Sequence, residues 1–391
     1  MQSFDTIVLG LGAMGSAALY HLTMTGGRVL GLDRYSPPHA FGSTHGDTRI
    51  TRLAIGEGAQ CTPLALRSHE LWRELEEETG KTLLTTNGGL IISSPARTSR
   101  THVENFFDNT LAAARKFGIA HEVLNADEIR RRFPLFKVAD DEQGYLERDA
   151  GFVRPEACVG AHLTQAERRG AEIHRHENVL AFRGSATGVR VTTDRDTYTA
   201  DTLIIAAGPW LPGLIGPELA GIFTVYRQTL FWFAIDGPLT PFLAEHCPVF
   251  IWEVQRGRQA IYGFPAVDGA DGGIKIATEQ YDGATSADAV GRDVTATEMR
   301  AMYAEYVAPY ISGVAERCVR AVTCLYTVTP DFGFVIDRHP QCERIILVSP
   351  CSGHGFKHSP AIGEALAALS TGGAARFDLE PFALGRFGRN S

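Results

Sequence analysis

The feature that most constrains this chain is a glycine-rich turn close to its first residue. Apolar residues Ile7 to Leu9 run into Gly10, Gly12 and Gly15, which form the pattern G-x-G-x-x-G, and a helical segment follows. A second apolar run ends in Asp33, 21 residues after Gly12. The order strand, turn, helix, strand and acid is typical of a Rossmann βαβ unit that binds a dinucleotide. The pattern does not distinguish one dinucleotide from another.

Each glycine has a separate predicted task in this turn. Gly10 permits the tight bend, Gly12 lets the backbone approach a pyrophosphate, and Gly15 lets the helix lie close to the strand. We expect the pyrophosphate at the positive end of the helix and the ribose hydroxyls on Asp33. A purely structural turn is the alternative, and the two flanking strands with the acid at the right distance argue against it.

Composition restricts the class of protein and its partners. The chain has 391 residues, of which 44% are hydrophobic and 21% charged, so two or three domains with a sizeable core are expected. The net charge of −8 argues against nucleic acid and anionic membranes, and no apolar run reaches the roughly 18 residues of a membrane helix. We expect neither a secretion signal nor a peroxisomal address. The seven cysteines, spread singly without C-x-x-C, predict no disulfide scaffold, no metal site and a reducing cytoplasmic location.

Two arginines follow the loop that contains Gly42 and Gly46. Arg49 and Arg52 are three positions apart, so one helical turn would point them the same way. Arginine suits stacking on a planar ring or two-point binding of a carboxylate. Two surface arginines are the alternative at this spacing.

Aromatic-rich strands between residues 220 and 280 change the character of the chain. Their hairpin-like spacing predicts an antiparallel sheet in a separate substrate domain. Lys275 lies between Ile274 and Ile276 in one such strand, so it points away from both. It therefore faces either water or a cofactor cavity. Helices are predicted at 64–80, near 100–117, at 155–169, at 297–312 and at 360–369.

A second glycine-rich turn opens the last predicted helix. The strand 344–348 leads into Ser352-Gly353-His354-Gly355-Phe356-Lys357. Backbone N–H groups at such a turn favour negative charge, and a reduced flavin carries negative charge near N1. We therefore expect the two ends of the chain to clasp one extended cofactor.

These motifs resemble those of the monomeric sarcosine oxidase family, which includes N-methyltryptophan oxidase and pipecolate oxidase. The resemblance rests on Cys324-Leu325-Tyr326-Thr327-x-x-Pro330-Asp331, on the turn 352–357, on His45-Gly46-Asp47-Thr48-Arg49-Ile50-x-Arg52 and on Tyr262-Gly263-Phe264-Pro265. It runs in order from the first strand to Phe387. It implies an α/β fold with a Rossmann-like FAD-binding domain and a second antiparallel-sheet substrate domain, as in amino acid oxidases. The expected boundaries are 1–80, 146–218 and 320–391 for the FAD domain, and 81–145 and 219–319 for the substrate domain.

The resemblance also implies roles for single residues. Cys324 matches the cysteine that forms a thioether with the flavin 8α-methyl group, and Lys275 matches the lysine that activates O2. Arg52 and Lys357 match the cations that bind the substrate carboxylate. The implied catalytic set is Lys275, Arg49, Tyr262, His354 and Tyr326. The implied cofactor-binding set is Gly10, Gly12, Gly15, Asp33, Arg34, Ser43, His45, Arg49, Val179, Gly208, Cys324, Gly353, Gly355 and Lys357. For His45 and His354, a loop histidine satisfied by backbone is the alternative.

One position departs from the family pattern. The sarcosine and N-methyltryptophan enzymes have a histidine four residues after the oxygen-activating lysine, where this chain has Glu279. A carboxylate at the substrate pocket would favour a cyclic amine, or a substrate with a cationic or hydrogen-bond-donating group, over sarcosine. The alternative is that Glu279 points to solvent.

The function implied is an FAD-dependent oxidase of secondary amino acids, either N-methylated or cyclic. Such an enzyme oxidises the C–N bond to an imine and reduces O2 to hydrogen peroxide, and we expect it to act as a monomer. The alternatives are an amine dehydrogenase with another electron acceptor, a non-catalytic flavin-binding protein and, less favoured, a nicotinamide dehydrogenase.

Overall fold

The computed structural model describes residues 2–99 and 101–388. Its strands are β1 (Gln2–Leu9), β2 (Val29–Leu32), β3 (Arg49–Thr51), β4 (Leu84–Thr85), β5 (Gly89–Ser93), β6 (Glu122–Asn125), β7 (Gln143–Glu147), β8 (Gly151–Val153), β9 (Glu172–His174), β10 (Val179–Ser185), β11 (Gly188–Thr193), β12 (Thr197–Ile205), β13 (Thr224–Ile235), β14 (Val249–Trp252), β15 (Ile261–Phe264), β16 (Ile274–Thr278), β17 (Ala284–Thr285), β18 (Val314–Val328), β19 (Val335–His339) and β20 (Cys342–Ser349). Its α-helices are α1 (Ala13–Thr23), α2 (Thr62–Thr79), α3 (Phe106–Phe117), α4 (Ala126–Arg132), α5 (Pro155–Arg168), α6 (Pro217–Ala220), α7 (Gly269–Gly272), α8 (Ala296–Met302) and α9 (Ser359–Ser370).

The first sheet is built around β1. Its strand order is β10-β11-β12-β1-β2-β9, and β20 pairs with β12. Both neighbours of β1 run parallel to it. Val8 packs into the core that includes α1, α2, α5 and α9, whereas Ile7 and Leu9 pack into the core on the opposite face. This alternation buries both faces of β1, as expected of a strand inside a parallel sheet.

The second sheet contains the aromatic-rich strands. Its order is β17-β13-β16-β15-β14-β5-β7-β6, with β18 beside β13. Most pairs are antiparallel, and β5 with β14 is a parallel pair. Phe231, Phe250 and Trp252 pack in one core on a single face of this sheet. The predicted antiparallel sheet is therefore present, while the division of the chain into two domains at the stated boundaries stays a prediction.

Two local predictions were wrong. The helix predicted at 297–312 is α-helical only to Met302 and continues as one π-helical turn, Tyr303–Val307. The segment around Arg49 is the short strand β3, paired with β8, and not a helical turn. Strand pairing with Gly151 to Val153 decides this local structure, and residue spacing alone cannot reveal a partner about 100 positions away. Within the described ranges, no helix has both the length and the apolar composition needed to cross a bilayer.

Candidate active site

A cavity of about 460 Å³ connects the first glycine-rich turn with the second sheet. Gly10 and Gly12 line one end of it, and Tyr262 and Lys275 line the other. The lining also includes these other residues from the predicted sets: Asp33, Arg34, Ser43, Arg49, Arg52, Val179, Gly208, Glu279, Cys324, Tyr326, Gly353, His354, Gly355 and Lys357. Residues far apart in the sequence therefore meet around one elongated space.

The glycine-rich turn is shaped by close backbone contacts. Gly10 has φ +86°, and a Cβ atom there would lie 2.6 Å from the carbonyl oxygen of Ala206. A Cβ atom on Gly15 would lie 1.8 Å from the oxygen of Gly10, so α1 approaches the strand as predicted. At Gly12 the nearest such contact is 3.5 Å, which leaves room beside the first turn of α1. This room and the positive end of α1 fit a pyrophosphate.

The acid predicted to bind ribose is tied to the same turn. Asp33 Oδ2 accepts a hydrogen bond of 2.8 Å from the backbone N–H of Leu11. Arg34, the next residue, pairs with Asp288 at 3.0 Å. His45 is 5% exposed, and burial, reinforced by the nearby Arg49, lowers its pKa to about 3. Within the described ranges, neither His45 nor Gly15 is among the residues that line the cavity.

The cysteine predicted to carry the flavin lies beside an arginine. Cys324 Sγ is 3.6 Å from Nη2 of Arg49 and 3.5 Å from the carbonyl oxygen of Ser43. Arg49 is fixed by donating to the carbonyl oxygens of Thr48 and Ser43, both at 2.8 Å. The thiol therefore lines the cavity beside a positioned cation.

Lys275 lies on the cavity side of its strand, and its side chain is buried. Ile274 and Ile276 pack into the core of the second sheet, on the other face. The Lys275 ammonium donates to the carbonyl oxygens of Gly46 and Thr48 at 2.7 and 3.0 Å. Burial, and next the charge of Arg49, lowers the pKa of Lys275 well below its usual value. Of the two orientations left open by the sequence, the cavity-facing one is present.

Glu156, which sequence reasoning missed, binds the loop whose carbonyl groups bind Lys275. Its Oε1 accepts hydrogen bonds from the backbone N–H groups of Gly46 and Asp47, at 2.6 and 3.2 Å. Asp47 has φ +67°, a conformation that a non-glycine residue seldom adopts without support. Glu156 thus fixes the turn whose carbonyls bind the lysine.

The two cations predicted to bind a substrate carboxylate converge on an acid of the chain itself. Arg52 forms an ion pair with Glu57, and Lys357 Nζ lies 3.8 Å from Glu57 Oε1. The side chains of all three residues are 4 or 5% exposed. Burial alone would raise the pKa of Glu57, but the two cations hold it well below its usual value. Burial lowers the pKa of Lys357 to about 8. Sequence reasoning missed Glu57.

Glu279 also has a partner that the sequence did not indicate. Both of its carboxylate oxygens lie within 2.9 Å of Nδ1 of His102. The Glu279 side chain is 18% exposed, and both residues line the cavity. The segment that carries His102 connects β5 with α3 and contains no recognisable motif.

Aromatic rings and a third histidine complete this end of the cavity. Tyr262 and Tyr326 line it, and burial raises the pKa of Tyr262 to about 12. His354 Nε2 lies 3.1 Å from the carbonyl oxygen of Phe332, and burial lowers the pKa of His354 to about 3. The backbone contact predicted as the alternative role of His354 is therefore present at one of its two nitrogens.

Comparison with known proteins gives consistent matches over nearly the whole chain. The family described as FAD dependent oxidoreductase matches residues 5–369. Monomeric sarcosine oxidase from Streptomyces avermitilis is 41% identical over 372 residues, covering 95% of this chain and 94% of that protein. N-methyl-L-tryptophan oxidase from Yersinia pestis is 33% identical, covering 99% of this chain and 100% of that protein.

Solved structures extend the match to the fold. NikD, described as an unusual amino acid oxidase essential for nikkomycin biosynthesis, aligns with a TM-score of 0.84 and 26% identity over 98% of both chains. L-proline dehydrogenase from P. horikoshii aligns with a TM-score of 0.79 at 20% identity, covering 99% of this chain and 98% of that chain, and this likeness concerns the fold alone. The α/β fold class expected from the sequence is confirmed.

Proposed function

The chain belongs to the FAD-dependent oxidoreductase family, and from this premise we propose that it oxidises secondary amino acids at a C–N bond. The family resemblance inferred from the motifs is thereby confirmed. One observation carries the proposal. Two buried cations, Arg52 and Lys357, converge at the end of the cavity that lies opposite the dinucleotide turn.

FAD, when bound, supplies a ring that accepts the equivalent of a hydride. The residues that would hold it are those of the glycine-rich turn with α1 and Asp33 at one end, and Arg49, Cys324 and the second glycine-rich turn at the other. Support for this assignment comes from the space beside Gly12 and from the fixed arginine beside the thiol.

The substrate carboxylate would take the place of Glu57. Arg52 and Lys357 already bind one carboxylate, so they are positioned to bind another. Two cations on one carboxylate fix the orientation of the amine toward the flavin. Because Glu57 occupies the two cations, substrate binding requires this side chain to move. An amine without a carboxylate cannot compete with Glu57 and should react poorly.

The substrate pocket also carries the His102–Glu279 pair. The negative side chain of Glu279 at the cavity favours a cyclic substrate, or one with an additional hydrogen-bond donor, over sarcosine.

O2 is the proposed electron acceptor, and hydrogen peroxide is the proposed product. Lys275 would be the fixed cation that stabilises superoxide. A monomeric state and a cytoplasmic location are further parts of the proposal, which light scattering and cell fractionation test.

The decisive experiment is anaerobic bleaching of the flavin by a panel of amines. Sarcosine, N-methyl-L-tryptophan and pipecolate should bleach it, with sarcosine the weakest, whereas dimethylamine and piperidine, which lack the carboxylate, should not. Peroxide formation in air then separates an oxidase from a dehydrogenase. Failure of every secondary amino acid would contradict the proposal and favour a non-catalytic flavin protein.

Covalent attachment through Cys324 is a separate part of the proposal. Acid denaturation should leave the yellow colour with the polypeptide, and Cys324→Ala should release all of it as free FAD. Cys351 is the matched control, since its thiol also lines the cavity but lies 3.4 Å from the backbone N–H of Thr327. Cys351→Ala should keep the flavin attached. Free FAD from the unmutated protein would refute the attachment.

A further inference from the structure

The histidine of the His102–Glu279 pair lies at the substrate end of the cavity. Its side chain is 3% exposed, and its Nδ1 lies 2.9 and 2.8 Å from the two carboxylate oxygens of Glu279. The backbone N–H of His102 also donates to Glu279 Oε2, at 3.3 Å. Because a carboxylate only accepts hydrogen bonds, Nδ1 carries a proton, and Nε2 is the nitrogen available for chemistry.

Nε2 of His102 is buried and has no hydrogen-bond partner among residues 2–99 and 101–388. A buried polar nitrogen without a partner costs free energy unless another group satisfies it. His102 lines the same cavity as Arg52 and Lys357, where the substrate carboxylate is proposed to bind. An ammonium group that enters this cavity with the substrate is a donor of the kind that Nε2 lacks among the described residues.

We propose that His102, oriented by Glu279, accepts the ammonium proton of the incoming secondary amino acid. This inference rests on the proposed function, because only an amine substrate brings such a proton. An alkyl amine has an ordinary pKa near 10, so it is charged in neutral water and has no lone pair to form the C=N bond. A histidine whose Nδ1 is held by a carboxylate and whose Nε2 is free is a recurring form of general base.

The proton and electron balance is simple. One proton moves from the substrate nitrogen to Nε2 of His102, while the Nδ1 proton stays in its hydrogen bond to Glu279. The nitrogen lone pair then forms the C=N bond as the C–H bond breaks, and the hydrogen leaves with the electron pair as the equivalent of a hydride, which a bound FAD would accept. When the imine leaves, the proton on Nε2 passes to water that enters the cavity, and Nδ1 is still bonded to Glu279.

The surroundings set the basicity of His102. Burial alone would lower its pKa, but the Glu279 carboxylate beside it raises the pKa above 6.5. The charged and titratable groups that face the ring are Glu279, Glu57, Lys357, His354 and Tyr281. A raised pKa makes His102 a stronger acceptor for the substrate proton.

The neighbouring histidine does not fit this role. The His354 ring stacks on His102 with 5.4 Å between ring centres. The nearest carboxylate oxygen to His354 Nδ1, Glu57 Oε1, is 4.0 Å away, and burial lowers the pKa of His354 to about 3. Such a group binds a proton only weakly in neutral water. The geometry therefore singles out His102.

The test is the pH profile of flavin reduction in the holoenzyme under anaerobic conditions, with pipecolate as substrate. His102→Asn should slow reduction by about 100-fold or more at pH 7, the usual scale of a general base. The rate should recover toward that of the native enzyme near pH 10, where the amine in solution has lost its proton. Binding of methylthioacetate, a carboxylate without an ionisable nitrogen, should change less than about threefold.

A merely structural His102 gives a different result. The rate would then fall by the same factor at every pH, and methylthioacetate would bind more weakly, which would overturn the role as a base. Glu279→Gln is the second variant if His102→Asn does not fold. It should cause a smaller loss at pH 7, about 10-fold, with the same recovery at high pH. If the native enzyme is not reduced by any secondary amino acid, the proposed function fails and this inference fails with it.

Discussion

The two ends of the cavity are built by different means. At the dinucleotide end, the shape comes from backbone: Gly10 and Gly15 permit contacts that any Cβ would prevent, and a helix end supplies positive charge. At the substrate end, the shape comes from buried charged side chains that bind one another, such as Arg52 with Glu57 and His102 with Glu279. The backbone contacts at the dinucleotide end tolerate few substitutions. At the substrate end, the preference for one substrate over another changes whenever one charged side chain changes.

The largest expected effect comes from breaking the charge cluster at the substrate end. Glu57→Gln leaves Arg52 and Lys357 without their carboxylate, and removing one partner of a buried ion pair costs about 3–5 kcal/mol of the free energy of unfolding. Chemical denaturation of both forms measures the difference. Glu364→Gln is the control, because its partner Arg67 also binds Glu70 and Glu74. There the loss should stay below about 1 kcal/mol.

The Arg52–Glu57 ion pair also predicts how the stability difference between the native protein and Glu57→Gln depends on pH. The folded-state pKa of Glu57 is held below its ordinary value of 4.5. The stabilisation is therefore complete above the unfolded-state pKa and is lost as the pH falls through the lower folded-state value. The gap between native and Glu57→Gln stability should shrink below about pH 4.5. A gap that stays constant from pH 7 to pH 3 would mean that the Glu57 charge contributes nothing.

The next effect concerns oxygen. Lys275→Met removes the buried cation, and reoxidation of the reduced flavin should slow roughly 100- to 1,000-fold, the scale of losing one positioned electrostatic group. Anaerobic flavin reduction should change far less, because the charge is proposed to assist only the superoxide-forming step. Stopped-flow measurement of both half-reactions separates the two. Equal losses would show that Lys275 only supports the loop at Gly46.

A smaller effect should follow when the support of Lys275 is loosened. Glu156→Ala frees the backbone N–H groups of Gly46 and Asp47, and misplacement of the lysine should slow reoxidation about 10- to 100-fold. Glu167→Ala is the matched control on the same helix, since Glu167 is 43% exposed and pairs with Arg175. Reoxidation at the native rate in Glu156→Ala would show that Glu156 does not position Lys275.

The smallest expected effect concerns the dinucleotide end of the cavity, which is built from backbone. A Cβ atom at Gly12 meets only Thr44 Oγ1 at 3.5 Å, so Gly12→Ala should fold normally. Its methyl group occupies the space proposed for the pyrophosphate, and FAD binding should weaken about 10-fold, or about 1.4 kcal/mol. Calorimetry in the Cys324→Ala background, where binding is expected to be reversible, measures this. Unchanged affinity would place the pyrophosphate elsewhere, whereas Gly15→Ala should disrupt folding itself.

This difference between the two ends explains what could be predicted from sequence. The glycine turn, Asp33 and the alternation around Lys275 are local patterns, and each directly indicates a backbone geometry. The partners of the charged groups are not local: Glu156 binds Gly46 across 110 residues, and His102 binds Glu279 across 177 residues. Even Glu57, only five residues from Arg52, carries no signal that distinguishes it from other acids. Pairings of this kind are decided by tertiary packing, so the sequence identifies one member of each pair, such as Arg52 or Glu279, but not its partner.

Both ends of the cavity are proposed to act in one oxidase reaction. Its most direct test is a single cycle with pipecolate: reduce the flavin without oxygen, admit air, and measure flavin absorbance and hydrogen peroxide together. The oxidised spectrum should return in full, with one equivalent of peroxide per flavin. A flavin that stays reduced in air, or one that returns without peroxide, would contradict it.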